Sequence, residues 1–174
     1  MKSIFLILPI LIFTSCRQKT EKINDKNKVT STKYSGSDIK PFKLTVLNSN
    51  YSLGYATKYV LTEQNLQITC KRESKNENDS TLFTVELVPS YALQKVSTIN
   101  TNSLQEYYAN PCIKDGSQLT VIFEKDHKSK TIQLSNFYQA DIGQAIEFIN
   151  SLTSEEYKIW YDKARLLKAQ EDCR

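Results

Sequence analysis

The chain has little of what most chemistries need. A single histidine, His127, stands among 174 residues, which excludes a multi-histidine metal centre. Its four glycines, Gly36, Gly54, Gly116 and Gly143, are too dispersed to write a loop that cradles phosphate in backbone N–H groups. Only four arginines accompany nineteen lysines, so the planar fork used for bidentate base and phosphate recognition is scarce. Acids such as Glu63, Glu73, Glu77, Glu106 and Glu124 interleave with those lysines, and no basic face is marked out for nucleic acid. The longest apolar run, residues 4–13, is about half of what a membrane-spanning helix requires.

What is present points to one folded unit. The chain is 40% hydrophobic and 24% charged, enough apolar material for a core at a length typical of one domain. Its net charge of +4 arises from a lysine-rich and asparagine-rich composition spread along the whole length, which makes it a poor guide to partners.

The strongest signal is at the start. Lys2 precedes the apolar run, which only Pro9 interrupts, and Thr14, Ser15 and Cys16 follow at once. That is the layout of a secretory signal with its h-region and small-residue cleavage point. Phe13-Thr14-Ser15-Cys16 resembles a bacterial lipobox, with Phe13 where leucine is usual, a departure that lipoboxes of the Bacteroidetes type tolerate. The resemblance implies cleavage before Cys16 and its acylation, with membrane lipid as the first partner. Several acyl chains would hold firmly, since each buried methylene contributes about 0.8 kcal/mol and one chain alone is marginal. The sequence therefore divides into a signal peptide (1–15), a lipidated cysteine with its tether (16–40) and a domain (41–174). Residues 17–40 hold only Ile23, Val29, Tyr34 and Ile39 as large apolar side chains, without period. Arg17 beside the cysteine, in place of aspartate, resembles lipoproteins sent to the outer membrane, and the missing acidic cluster favours its periplasmic face.

Residues 41–89 alternate as strands do. Leu44 and Val46, then Leu66, Ile68 and Cys70, then Phe83, Val85 and Leu87 each take every second position, and residues 59–61 join the next strand through a turn at 62–65. Pro89 suits a first helical position, ahead of Ala92, Leu93, Val96 and Ile99 at helical spacing. Ser103 to Glu106 has the form of a capping box and predicts a short helix closed by Asn110-Pro111. Two strands, 119–124 and 131–135, flank a polar loop at 125–129. Asp141 reads as the cap of a helix carrying Ile142, Ala145, Ile146 and Ile149, and residues 153–156 repeat the capping-box form. The second cap would open a helix with Tyr157, Trp160, Tyr161, Ala164 and Leu167 along one face. The expectation is a single α+β domain with a mostly antiparallel sheet, a helical interlude and two C-terminal helices. The stretches at 107–116, 134–138 and 156–161 resemble uncharacterised Bacteroidetes-type lipoproteins, a likeness that implies architecture and location but no activity.

Export implies an oxidising compartment, so the cysteines matter. With Cys16 lipidated, three remain. Cys70 falls in register with a core face, whereas Cys112 lies in a turn and Cys173 one residue from the end, so Cys112–Cys173 is the expected disulfide. Cys70–Cys112 is its rival. A Cys112 thiolate activated by His127 is the nucleophilic alternative, but His127 sits in a lysine-rich loop that reads as solvated. Glu155, Glu156, Asp115 and Asp141 read as cap and turn residues rather than a catalytic pair. No catalytic residue, metal site or cofactor is expected, and the chain reads as a non-enzymatic structural or interaction module of the envelope. Two alternatives stand beside it: a glycan- or peptide-binding module using Tyr51, Tyr55 and Tyr59, whose spacing would align them on one side of a strand, and an immunity-type inhibitor.

Overall fold

A computed structural model of the chain describes residues 39–50, 55–72, 79–113, 116 and 118–173. Residues 1–38, on which the expected signal peptide, Cys16 and tether fall, lie outside the described residues, as do Tyr51 and Asp115. The domain is an α+β fold built on one seven-stranded sheet: β1 (Phe42–Asn50), β2 (Tyr55–Thr62), β3 (Asn65–Arg72), β4 (Ser80–Glu86), β5 (Tyr107–Ala109), β6 (Gln118–Lys125) and β7 (Lys128–Ser135). Their order across the sheet is β4-β3-β2-β1-β6-β7-β5, antiparallel throughout except where β5 runs parallel to β7. Helices α1 (Tyr91–Ser97), α2 (Ala140–Ser151) and α3 (Lys163–Glu171) complete it.

Alternation decides which face is covered. Leu44 and Val46 of β1 pair across to Leu61 and Tyr59 of β2 and to Phe123 and Val121 of β6, and all of these are buried, as is Phe42. The same face continues through Leu66 and Ile68 of β3 and Ile132 and Leu134 of β7. Leu93 and Val96 of α1 and Ile142, Ala145, Ile146 and Ile149 of α2 close over it, giving two layers around one core. Each such side chain contributes roughly 1.5–3 kcal/mol on burial, which is why the period-2 and period-3.6 patterns lock together. On the opposite face Leu47, Val60, Ile122 and Thr120 are half-buried, Thr45 is buried and Gln67 is exposed.

The two ends of the sheet differ in character. At one end the chain joins β1, whose Phe42 lies opposite Lys125, the last residue of β6. Asp126 and His127 then make a two-residue turn into β7 with φ of 50° and 59°. Those values fit a hairpin turn whose twist matches the strands. At the other end Gly116, at φ 146°, leaves no room for a side chain, because a Cβ there would lie 2.2 Å from the Oδ1 of buried Asn136. The Cys112–Cys173 disulfide sits at this end too, with a Cα–Cα distance of 5.8 Å.

Four local expectations fail, each for a physical reason. Pro89 is not the first helical residue: Ser90 is the cap, its Oγ accepting from the Leu93 N–H at 3.2 Å. The α2 cap is Gln139, whose side chain accepts from the Ile142 N–H at 2.8 Å, while Asp141 sits in the first turn. Residues 103–106 open no helix. After a single 3₁₀ turn at Thr101–Ser103 the chain becomes β5, where the Gln133 N–H donates to the Glu106 carbonyl at 2.8 Å and the Asn110 N–H to the Ser135 carbonyl at 3.0 Å. The open edge of β7 outbids a local cap motif. Residues 153–156 lead only into a 3₁₀ turn, Glu155–Tyr157, because Asn150 holds Ile159 extended: its Nδ2 donates to the Ile159 carbonyl (2.9 Å) and its Oδ1 accepts from the Ile159 N–H (2.8 Å). Helix α3 starts later, on an Asp162 cap, so Ile159 and Leu166 are buried and Trp160 is 58% exposed.

Candidate functional site

The hairpin end of β6 and β7 forms one wall of a cleft of about 450 Å³, and the segment following α1, residues 98–102, forms the other. Its floor follows from the alternation that builds the core. On β6 the core-facing positions read Leu119, Val121, Phe123, Lys125; on β7, from the far end, they read Leu134, Ile132, Lys130, Lys128. Past the reach of the helices the apolar series gives way to three lysines on that face, with Phe123 and Ile99 at the base. An apolar base lowers the local dielectric and strengthens each ammonium's pull on an anion.

The charges do not cancel internally. Lys125 spends one N–H on the Ser97 carbonyl at 2.7 Å, which fixes the ammonium against the C-terminus of α1 and leaves two donors. Lys130 reaches Glu106 at 3.3 Å, but that carboxylate's side chain is 81% exposed and the pair is a weak surface bridge. Lys128 makes no ion pair among the described residues and is exposed. Asp126, at the turn, is the one carboxylate lining the cleft. Asn100, Thr101, Asn102 and Ser129 supply neutral donors and acceptors around the rim. The lining residues themselves carry three lysines against one carboxylate, within a polar collar, and Glu106 lies outside the lining. A second groove, of about 260 Å³ between α1 and α2, is lined by one charge of each sign, Lys95 and Glu147, and carries no such excess.

The residues singled out from sequence are scattered. Cys112 and Cys173 are joined as a disulfide, which removes Cys112 as a nucleophile. His127 is exposed at the hairpin turn. Cys70 is buried on the core face as expected. Of the tyrosine patch, Tyr59 requires correction. Tyr51 lies outside the described residues, and of Tyr55 only the backbone, at the start of β2, is described. Tyr59 is 2% exposed in the core, where burial pushes its phenol up to about 12. Tyr59 thus lies on the face under the helices. Glu155 and Glu156 lie in an exposed 3₁₀ turn and Asp141 in the first turn of α2. Among the described residues no three His, Cys, Asp or Glu side chains gather to hold a metal, and no helix is long and apolar enough to cross a membrane.

Sequence reasoning passed over Lys125 and Lys128 because they fell in the loop expected at 125–129, and over Lys130 because it fell between that loop and the strand expected at 131–135. The signal that finds them is the continuation of core alternation into lysine on both arms of the hairpin. No protein family, characterised protein or solved structure matches the chain.

Proposed function

We propose that the chain is a lipid-anchored lipoprotein of the bacterial cell envelope whose α+β domain is a non-enzymatic binding module. The observation that carries the binding role is the cleft of about 450 Å³, within the size range of small-ligand sites. It is furnished with positive charge and hydrogen-bonding groups but no paired acid and base. The Cys112–Cys173 disulfide supports residence in an oxidising compartment, and the signal-like residues 1–15 with Cys16 support the anchor. The cleft lies at the end of the sheet where the chain enters β1, with Phe42 opposite Lys125.

Fractionation of cells producing the natural chain and its Cys16→Ala variant tests the anchor. The natural chain is expected in the membrane fraction with incorporated acyl label, and the variant in the soluble fraction without it. A variant that stays in the membrane fraction refutes the anchor.

A further inference from the structure

We infer that the cleft between the β6–β7 hairpin and residues 98–102 binds a phosphate group carried on a hydroxylated carbon skeleton. This deepens the binding reading above and rests on it. Three observations narrow the ligand to that class. The positive charge comes entirely from lysine, and no arginine lines the cleft. A lysine ammonium is a compact point charge with rotatable donors, a mode of phosphate binding that needs no guanidinium fork. The three lysines also share one face of a two-stranded arm, and all three line the cleft. Lastly, the cleft is far larger than one phosphate. Asn100, Thr101, Asn102 and Ser129 stand at the rim where the hydroxyls of an attached polyol or sugar would meet them.

Such a group reaches the cleft either on a small soluble molecule or as a lipid head group, and the position of the cleft at the end where the chain enters β1 leaves both open. The experiment separates them. The full chain is titrated with glycerol 3-phosphate by calorimetry and is sedimented with phosphatidylcholine vesicles with and without phosphatidylglycerol. For the sedimentation, the Cys16→Ala form removes the acyl anchor. Lys128→Gln, which breaks no contact among the described residues, is expected to weaken binding about fivefold, and Lys125→Gln/Lys128→Gln/Lys130→Gln by more than about thirtyfold. Lys95→Gln, outside the cleft, serves as the control and is expected to change nothing.

Saturable glycerol 3-phosphate binding that the lysine variants weaken supports the inference and assigns a soluble ligand. Vesicle binding that needs phosphatidylglycerol, weakens in the same variants and is competed by glycerol 3-phosphate supports it and assigns a head group. Absence of both, or binding that the Lys128→Gln variant leaves intact, overturns it. Either result leaves the Cys16→Ala fractionation untouched, so a failed ligand and a failed anchor are told apart.

Discussion

Reduction of the Cys112–Cys173 disulfide should loosen one end of the domain while leaving the sheet formed. The bond spans a sequence separation of 61 residues. In the loop-entropy account, closing a loop of that length in the unfolded chain contributes about 4 kcal/mol to stability. Native domains hold about 5–15 kcal/mol in total, so the loss is large yet survivable. Its local consequence follows from how little else binds α3. Of the nine residues in that helix only Leu166 is buried, contributing roughly 1.5–3 kcal/mol. Two hydrogen bonds add about 1 kcal/mol each: Asn110 Nδ2 to the Ala169 carbonyl at 2.9 Å, and the Tyr138 N–H to Gln170 Oε1 at 2.6 Å. Against these stands an ordering cost of at least about 1 kcal/mol per residue, which the helix's own hydrogen bonds offset only in part. Docking of α3 is therefore close to balanced without the staple.

Urea denaturation with and without reductant should show the loss of about 4 kcal/mol, equivalent to about 12–20 °C in Tm for a domain of this size. Native-state hydrogen exchange should show protection collapsing in α3 after reduction while β1, β2 and β6 keep theirs. An unchanged urea midpoint refutes the entropic reasoning. Uniform loss of protection across the sheet refutes the claim that the disulfide serves α3.

Other perturbations test other contacts. Asn150→Ala removes both hydrogen bonds to the Ile159 backbone and should cost about 2–3 kcal/mol in a urea titration; a change under 0.5 kcal/mol, by the same assay, would mean the segment is extended for another reason. Gly143→Ala would place a Cβ 2.5 Å from the Tyr138 hydroxyl, so it should destabilise by about 1–3 kcal/mol despite its better helix propensity, with a gain in Tm counting against the packing. Burial raises the Tyr59 phenol to about 12 from 10.0, and burial raises Tyr161 as well, so only the unfolded state ionises between those values. Stability is thus full below pH 10 and falls above it, by about 2–3 kcal/mol for Tyr59 by pH 12, and Tyr59→Phe should flatten that limb of the pH–stability curve. Asp126→Asn keeps a side chain that tolerates φ 50° and removes the one carboxylate lining the cleft, so it should leave Tm unchanged while tightening phosphate binding about threefold; weaker binding would contradict the electrostatic picture.

Where a pattern repeats, it was legible in the sequence. Leu66, Ile68 and Cys70 announced their strand because each second residue is apolar, and all three are buried. Ile142, Ala145, Ile146 and Ile149 did the same for α2. Three-residue β5 carries too few positions to establish a period, and its hydrogen bonds go to β7, a strand that lies later in the chain. Residues 155–162 misled because a capping form is a local statement, whereas Asn150 acts on Ile159 from nine residues away. Tyr59 shows a different limit: spacing places side chains on one face but does not say which face the helices will cover.

The cleft lies between these cases. Two strands joined by a two-residue turn put Lys125 opposite Lys128 and Phe123 opposite Lys130, and the flanking Val121 and Ile132 fix those four positions to the core face. Lysine at core-facing positions is costly unless the layer above ends before them, so its appearance on both arms marks where the covering layer stops. Here α1 ends at Ser97, whose carbonyl receives Lys125, and the chain turns away through Asn100 and Asn102 before returning as β5. The edge of the helical layer and the run of inward lysines are thus two views of one constraint. A cleft forms there because the helices stop short of the hairpin while its strands run on beneath, and its positive charge follows from the residues that can sit at that wet margin of the core.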